Sequence, residues 1–268
     1  MLGKLMKYEF KACGRIFFPL YIGILFLSAA NGVSIGSSLK DQEGYILNSN
    51  ALNTQSILTL VMFALFVALF VITIILIIQR FKKNLLEDEG YLMFTLPVKT
   101  SSLVLSKLLV ALIYAIISAI VSSLSFLIIG MIGGDFNIAE FFKLISEVDI
   151  LRKSMELMVY MILWFLISYI IFVLSIYLSL SIGQLPQLIK YKMPAGVVLF
   201  FIINLIISKI QTFMRNSTLG SVPEIDLTNN MTNLPYRYLF ISSIISIIIG
   251  TILFFLTNWI LNKELNLE

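Results

Sequence analysis

Long uncharged runs alternate with polar stretches along the whole chain. Residues 56–79 hold 24 consecutive positions without Asp, Glu, Lys or Arg, and residues 108–132 hold 25. About 18 predominantly apolar residues mark a membrane-spanning helix. The full pattern predicts six spans, at 16–36, 56–79, 102–133, 157–182, 195–211 and 238–261. The second would cover about 36 Å at 1.5 Å per residue, enough to cross with some tilt. The fifth has an apolar core of only about 24 Å over 195–210. It either crosses with Lys209 reaching outward, extends to Phe213, or re-enters the same face. Ser101 or Ser102 suits the N-cap of the third span, and Gly133-Gly134 suits its end. The segment 37–55 reads as a loop. Residues 135–156 carry a weak helical pattern (Ile138, Phe141, Phe142, Ile145) that reads as a short surface helix. Residues 211–237 are polar, hold Pro223 and Pro235, and are longer than a connector needs.

Composition agrees with this pattern. Of the 268 residues 59% are hydrophobic and 13% charged, about half the charged share of a soluble domain. The reading is an all-α membrane protein built as a single domain over residues 1–268. The small pair Ala64 and Ala68 on the second span could let helices approach closely.

The net charge of +4 is spread over loops without aromatic interleaving, which argues against nucleic acid as a partner. With an even number of spans the basic residues divide 12 to 7 between the two faces. The richer face carries Lys4, Lys7, Lys11 and Arg15 before the first span and Arg80, Lys82 and Lys83 after the second. The positive-inside rule then places both termini in the cytoplasm. Residues 1–15 alternate basic and apolar positions, as an interfacial helix on an anionic leaflet does. A signal-peptide reading, with 17–27 as the apolar region and cleavage at Ser28-Ala29-Ala30, is the weaker alternative.

Several chemistries are excluded. The chain has no histidine, so Ser-His and Cys-His catalysis, the HExxH zinc site and histidine proton relays are absent. It has no GxxxxGK[ST] stretch and so no P-loop of its own. Cys13 is the only cysteine and permits no intrachain disulfide. Asp135 and Asp149 sit in a loop, where they cannot serve intramembrane aspartyl chemistry. No catalytic, cofactor or metal residue is expected.

The most informative stretch is 80–109, between two strongly apolar uncharged runs. It opens basic, turns acidic at Glu87, Asp88 and Glu89, then carries a short apolar segment that stops at Pro97. On a helix Leu85, Leu86, Leu92, Met93 and Leu96 fall within an arc of about 120°, an amphipathic stripe. Glu89 lies in the middle of that stripe. Either the helix breaks at Gly90, or the stripe faces a protein that offers Glu89 a partner. Pro97 ends it, because the residue before proline avoids the α region.

The segment DEGYLMFTLPVKTSSLVLSKLL resembles the cytoplasmic loop of type-2 ABC exporter permeases, a bacterial class here, with its acidic residue, TLPV stretch and SKLL lead into the third span. KYEFKACGRIFFPLY resembles the family's N-terminal elbow helix, and SIGQL at 181–185 its turn after the fourth span. The resemblance implies a six-span permease of the bacterial plasma membrane, with a cytoplasmic coupling helix between spans 2 and 3. It implies a separate P-loop ATPase subunit, a second permease subunit, identical or related, and no enzymatic activity of its own. The implied ATPase-coupling residues are Leu85, Leu86, Glu87, Asp88, Glu89, Tyr91, Leu92, Met93, Leu96 and Pro97.

No ionisable residue lies deep in any predicted span, which disfavours proton relays and buried ion sites. Ser118, Ser122 and Ser125 share one face, and Ser168, Ser175 and Ser179 another. They either line a weakly polar path or bond to their own helices and pack. The apolar spans fit an amphipathic or hydrophobic substrate (a lipid, peptide or drug). The alternatives are a six-span secondary carrier, or a resistance or immunity membrane protein, working without an ATPase. Glu89→Lys, or Phe94→Pro at a cost of about 3 kcal/mol to a helix, is expected to abolish ATPase-coupled transport. Membrane insertion should be intact in both, and normal transport by both variants would sink the coupling reading.

Overall fold

Inside a bilayer the backbone must hydrogen-bond to itself, and a continuous helix does this within one segment. The computed structural model meets that requirement with six helices and, among the described residues, no strand. It describes residues 2–42, 49–86, 90, 98–134, 149–185, 191–219 and 234–263. The helices are α1 (Leu2–Gln42), α2 (Ser49–Phe81), α3 (Thr100–Gly133), α4 (Asp149–Gly183), α5 (Lys192–Leu219) and α6 (Leu234–Lys263). All six are long and apolar enough to cross a membrane. The six predicted spans are all present, each within a longer helix.

Several boundaries differ from expectation. The segment 37–55 is not a loop throughout, because α1 continues to Gln42 and α2 begins at Ser49. The interfacial helix and the first span are one continuous helix of 41 residues, about 60 Å long. No breaker separates residues 1–15 from 16–36. Pro19 lies inside the helix and removes only its own bond to the Arg15 carbonyl. The fifth span is not short, because α5 continues through Gln211–Leu219 and reaches about 42 Å. Residues 149–156 are not a separate surface helix but the first turns of α4. The remainder of that predicted helix, 135–148, and residues 220–233 lie outside the described residues.

The chain divides into two compact units. One comprises Gly3–Leu76 and Ile113–Asp149, hence most of α1, the first part of α2 and the second part of α3. Cys13, Phe17, Tyr21, Ile24, Ser28 and Asn31 of α1 are buried, at steps of three and four residues that form one stripe. Lipid gives no hydrophobic drive for helix pairing, so close packing and polar contacts must hold this unit together. The close approach is made by Gly32 and Gly36, not by the Ala64–Ala68 pair. A Cβ on Gly32 would lie 2.9 Å from Cβ of Ile132, and one on Gly133 would lie 2.8 Å from the Gly32 carbonyl oxygen. Ala64 is exposed. Phe66 stacks on Phe126, and Asn31 and Thr59 join side chains across α1 and α2 at 3.4 Å.

The other unit comprises Met1–Leu2, Ile77–Leu112 and Ile150–Glu268. Here the C-terminal half of α4 is surrounded on all sides: every residue from Val173 to Ser179 is buried. α6 buries Leu239, Ser246, Ile249, Leu253, Thr257 and Ile260, again as a single stripe. α5 packs on α6, and its Gln211 amide donates to Ser246. Asn204 of α5 donates to Ser175 Oγ and to the Phe200 carbonyl.

Gly32→Leu is expected to destabilise the unit that contains it by about 1–3 kcal/mol, the usual cost of overpacking. A lower midpoint of thermal unfolding in detergent would show it, with Ala64→Leu, on an exposed face, changing little.

Candidate coupling site

The insert between α2 and α3 is anchored where it leaves each helix. α2 ends at Phe81, and residues Lys82–Leu86 form one π-helical turn. Single π turns occur mostly as bulges in longer helices and are frequent at functional sites. Asn84, Leu85 and Leu86 of this turn are buried, Leu85 completely. Phe81 is also completely buried and lies flat on Tyr177 of α4, with ring centroids 4.1 Å apart and planes inclined by 10°. Gly90 closes over the turn. A Cβ there would come within 2.7 Å of the Leu85 carbonyl oxygen, a backbone atom that cannot swing away.

At the other end, α3 starts at Thr100 with the Lys99 carbonyl accepting from the amides of Ser102 and Leu103. The cap is therefore Lys99, two or three residues before the predicted cap at Ser101 or Ser102. The Thr100 hydroxyl lies 2.7 Å from the side-chain amides of both Asn258 and Asn262 on α6. A hydroxyl has one proton, so it donates to one of the two amide oxygens at a time, Oδ1 of Asn258 or Oδ1 of Asn262. Further along α3, Tyr169 of α4 donates to the Ala111 carbonyl. Lys107 is buried about two turns into α3, although its charge reads as part of the loop in the sequence.

The residues of the sequence-derived site are thus distributed unevenly. Leu85 and Leu86 are buried. Glu87, Asp88, Glu89, Tyr91, Leu92, Met93, Leu96 and Pro97 lie outside the described residues. The serines sit on two different faces. Ser125, Ser175 and Ser179 are buried and donate to the carbonyls of Ser122, Phe172 and Ile176 on their own helices. Ser118 is bonded to the Tyr21 hydroxyl at 2.8 Å, while Ser122 and Ser168 are half-buried. Among the described residues every buried side-chain nitrogen and oxygen has a partner, and no His/Cys/Asp/Glu group could hold a metal ion.

The N-terminal helix is held independently within its own unit. Tyr114 of α3 stacks between Phe10 and Phe17 of α1, at centroid distances of 4.9 and 4.6 Å. Its hydroxyl donates to the Phe10 carbonyl at 2.7 Å. Gly14 leaves room for it, since a Cβ there would sit 3.0 Å from that hydroxyl. Glu9, in register with the buried stripe of α1, is buried as well.

Sequence reasoning missed Phe81, Tyr177, Thr100, Asn258 and Asn262. Only the asparagines carried a signal: two amides at i and i+4 near the end of an otherwise apolar span share one face.

Residues 51–148 match the family model for ABC-2 family transporter proteins. The matched segment runs from within α2 through the insert and all of α3. Over this segment the chain is similar to ABC-2 family transporter proteins, as the resemblance implied, and all six helices are long and apolar enough to cross a membrane. No curated protein and no solved structure matches this chain.

Gly90→Ala is expected to force the π turn open. Tryptic cleavage after Lys82 and Lys83 should then speed up in the membrane-inserted protein. Gly3→Ala, with open space around its Cβ, should leave cleavage unchanged.

Proposed function

We propose that this chain is the membrane-spanning subunit of an ATP-binding-cassette exporter in a bacterial plasma membrane, driven by a separate P-loop ATPase on the cytoplasmic face. The observation that carries this reading is the family match over the α2–insert–α3 hairpin, the stretch that the residues themselves single out. The excess of basic residues on the side of the insert supports placing it, and both termini, in the cytoplasm.

In this reading the acidic and apolar residues Glu87, Asp88, Glu89, Tyr91, Leu92, Met93, Leu96 and Pro97 dock into the ATPase. Leu85 and Leu86 hold the insert to the membrane domain behind them. The chain supplies no group for hydrolysis; its own task is mechanical. Closure of the ATPase pair on ATP displaces the insert, and the helices bonded to the insert follow. A second permease subunit, identical or related, completes the path. The uncharged, apolar spans support an amphipathic or hydrophobic substrate.

Affinity purification of the tagged chain from its native host is expected to bring down a Walker-motif ATPase. Glu89→Lys should lose that partner while still inserting. Purification of wild-type protein with no such ATPase would overturn the exporter reading in favour of a carrier that works alone.

A further inference from the structure

Each end of the insert is tied to a helix other than the one it continues. At the leading end Phe81 lies flat on Tyr177 of α4. At the trailing end Thr100 is bracketed by Asn258 and Asn262 of α6. All five residues belong to one compact unit. α2 contributes to that unit only from Ile77 onward, and α3 only as far as Leu112. The described ends of the insert therefore move with α4 and α6 as long as these contacts persist.

The two contacts differ in stiffness. Phe81 and Tyr177 are almost wholly buried, and their rings cannot slide apart without opening a void in a close-packed interior. The Thr100 cluster is partly exposed, so water can satisfy its groups if it opens. What it provides is direction. Asn258 and Asn262 stand one turn apart on the same face of α6 and grip a single hydroxyl at the first residue of α3.

We propose that Phe81–Tyr177 and Thr100–Asn258–Asn262 form a two-point relay that delivers displacement of the insert to α4 and α6, rather than only along α2 and α3. Tyr177, Thr100, Asn258 and Asn262 are then positioning residues for ATP-driven transport. This rests on the reading of the chain as an ATPase-driven permease, which it deepens by naming the helices that are driven.

The test uses the complex of full-length chain and its co-purifying ATPase in lipid nanodiscs. In a Cys13→Ser background, Trp259→Cys places a nitroxide spin label on an exposed position of α6 beside the asparagines. ATP with vanadate is expected to change the label's spectrum in this parent. Thr100→Val, Asn262→Leu and Tyr177→Leu are each expected to shrink that response by about fivefold or more, the loss of an ordinary coupling free energy. ATP hydrolysis by the bound ATPase should stay near the parent rate, and Thr100→Ser should restore the response. A purely structural role would lower stability without separating hydrolysis from movement. If Thr100→Val does not yield a folded complex, Thr100→Ser against Asn262→Leu and Tyr177→Leu decides the matter.

A parent label that ignores ATP and vanadate, or a full response in Tyr177→Leu and in the clasp variants, overturns the relay while the ATPase assignment stands. Absence of any co-purifying ATPase from the parent overturns the functional reading and the relay with it.

Discussion

Lipid offers no hydrogen-bond partner, and nearly everything in this protein follows from that constraint. It forces the spans to be helices, which satisfy their own backbone. It makes the serines of the spans turn inward and donate to carbonyls three or four residues back, as Ser28, Ser125, Ser175, Ser179 and Ser181 all do. It also removes the ordinary hydrophobic drive for association, because a lipid tail is as apolar as a leucine. Helix contacts must instead come from shape and from paired polar groups. Gly32 and Gly36 provide the first by removing side chains at the closest approach. Asn31 with Thr59, Asn204 with Ser175, and Gln211 with Ser246 provide the second.

The same constraint explains the form of the insert. A chain leaving one span and returning through the next must break two helices and satisfy what it frees. Here the break after α2 is eased by a π turn, roofed by Gly90 and backed by Phe81 on Tyr177. The restart at Thr100 is capped by the Lys99 carbonyl and held by two asparagines. Both ends are thus fixed to the protein before the chain reaches the acidic residues. A hinge of loose loop would absorb a push from outside, whereas anchored ends transmit it.

The N-terminal helix follows a parallel logic within its own unit. Its basic residues Lys4, Lys7, Lys11 and Arg15 are exposed, while its apolar stripe continues without a break into the first span. Tyr114 holds Phe10 and Phe17 by stacking and by one hydrogen bond to a backbone carbonyl. The helix is therefore positioned by an aromatic side chain from α3 and not by the lipid surface alone.

The six spans and the place of the charged insert between the second and third were legible in the linear order of residues. Hydropathy and helix length act locally, so one chain suffices to read them. The stripe of Leu85 and Leu86 was legible as apolar but not as buried. Periodicity shows that a side chain avoids water, not whether lipid, a partner or its own chain covers it. Helix ends were misplaced where nothing local stops a helix, as at residues 15–16 and 211–219. The contacts of Phe81 with Tyr177 and of Thr100 with Asn258 and Asn262 join positions 96 and roughly 160 residues apart. No local pattern encodes such pairs, because they exist only once packing has brought separate helices side by side. The sequence by itself determined a six-span helical membrane protein with a charged insert; which helices that insert is fastened to was decided by the tertiary structure.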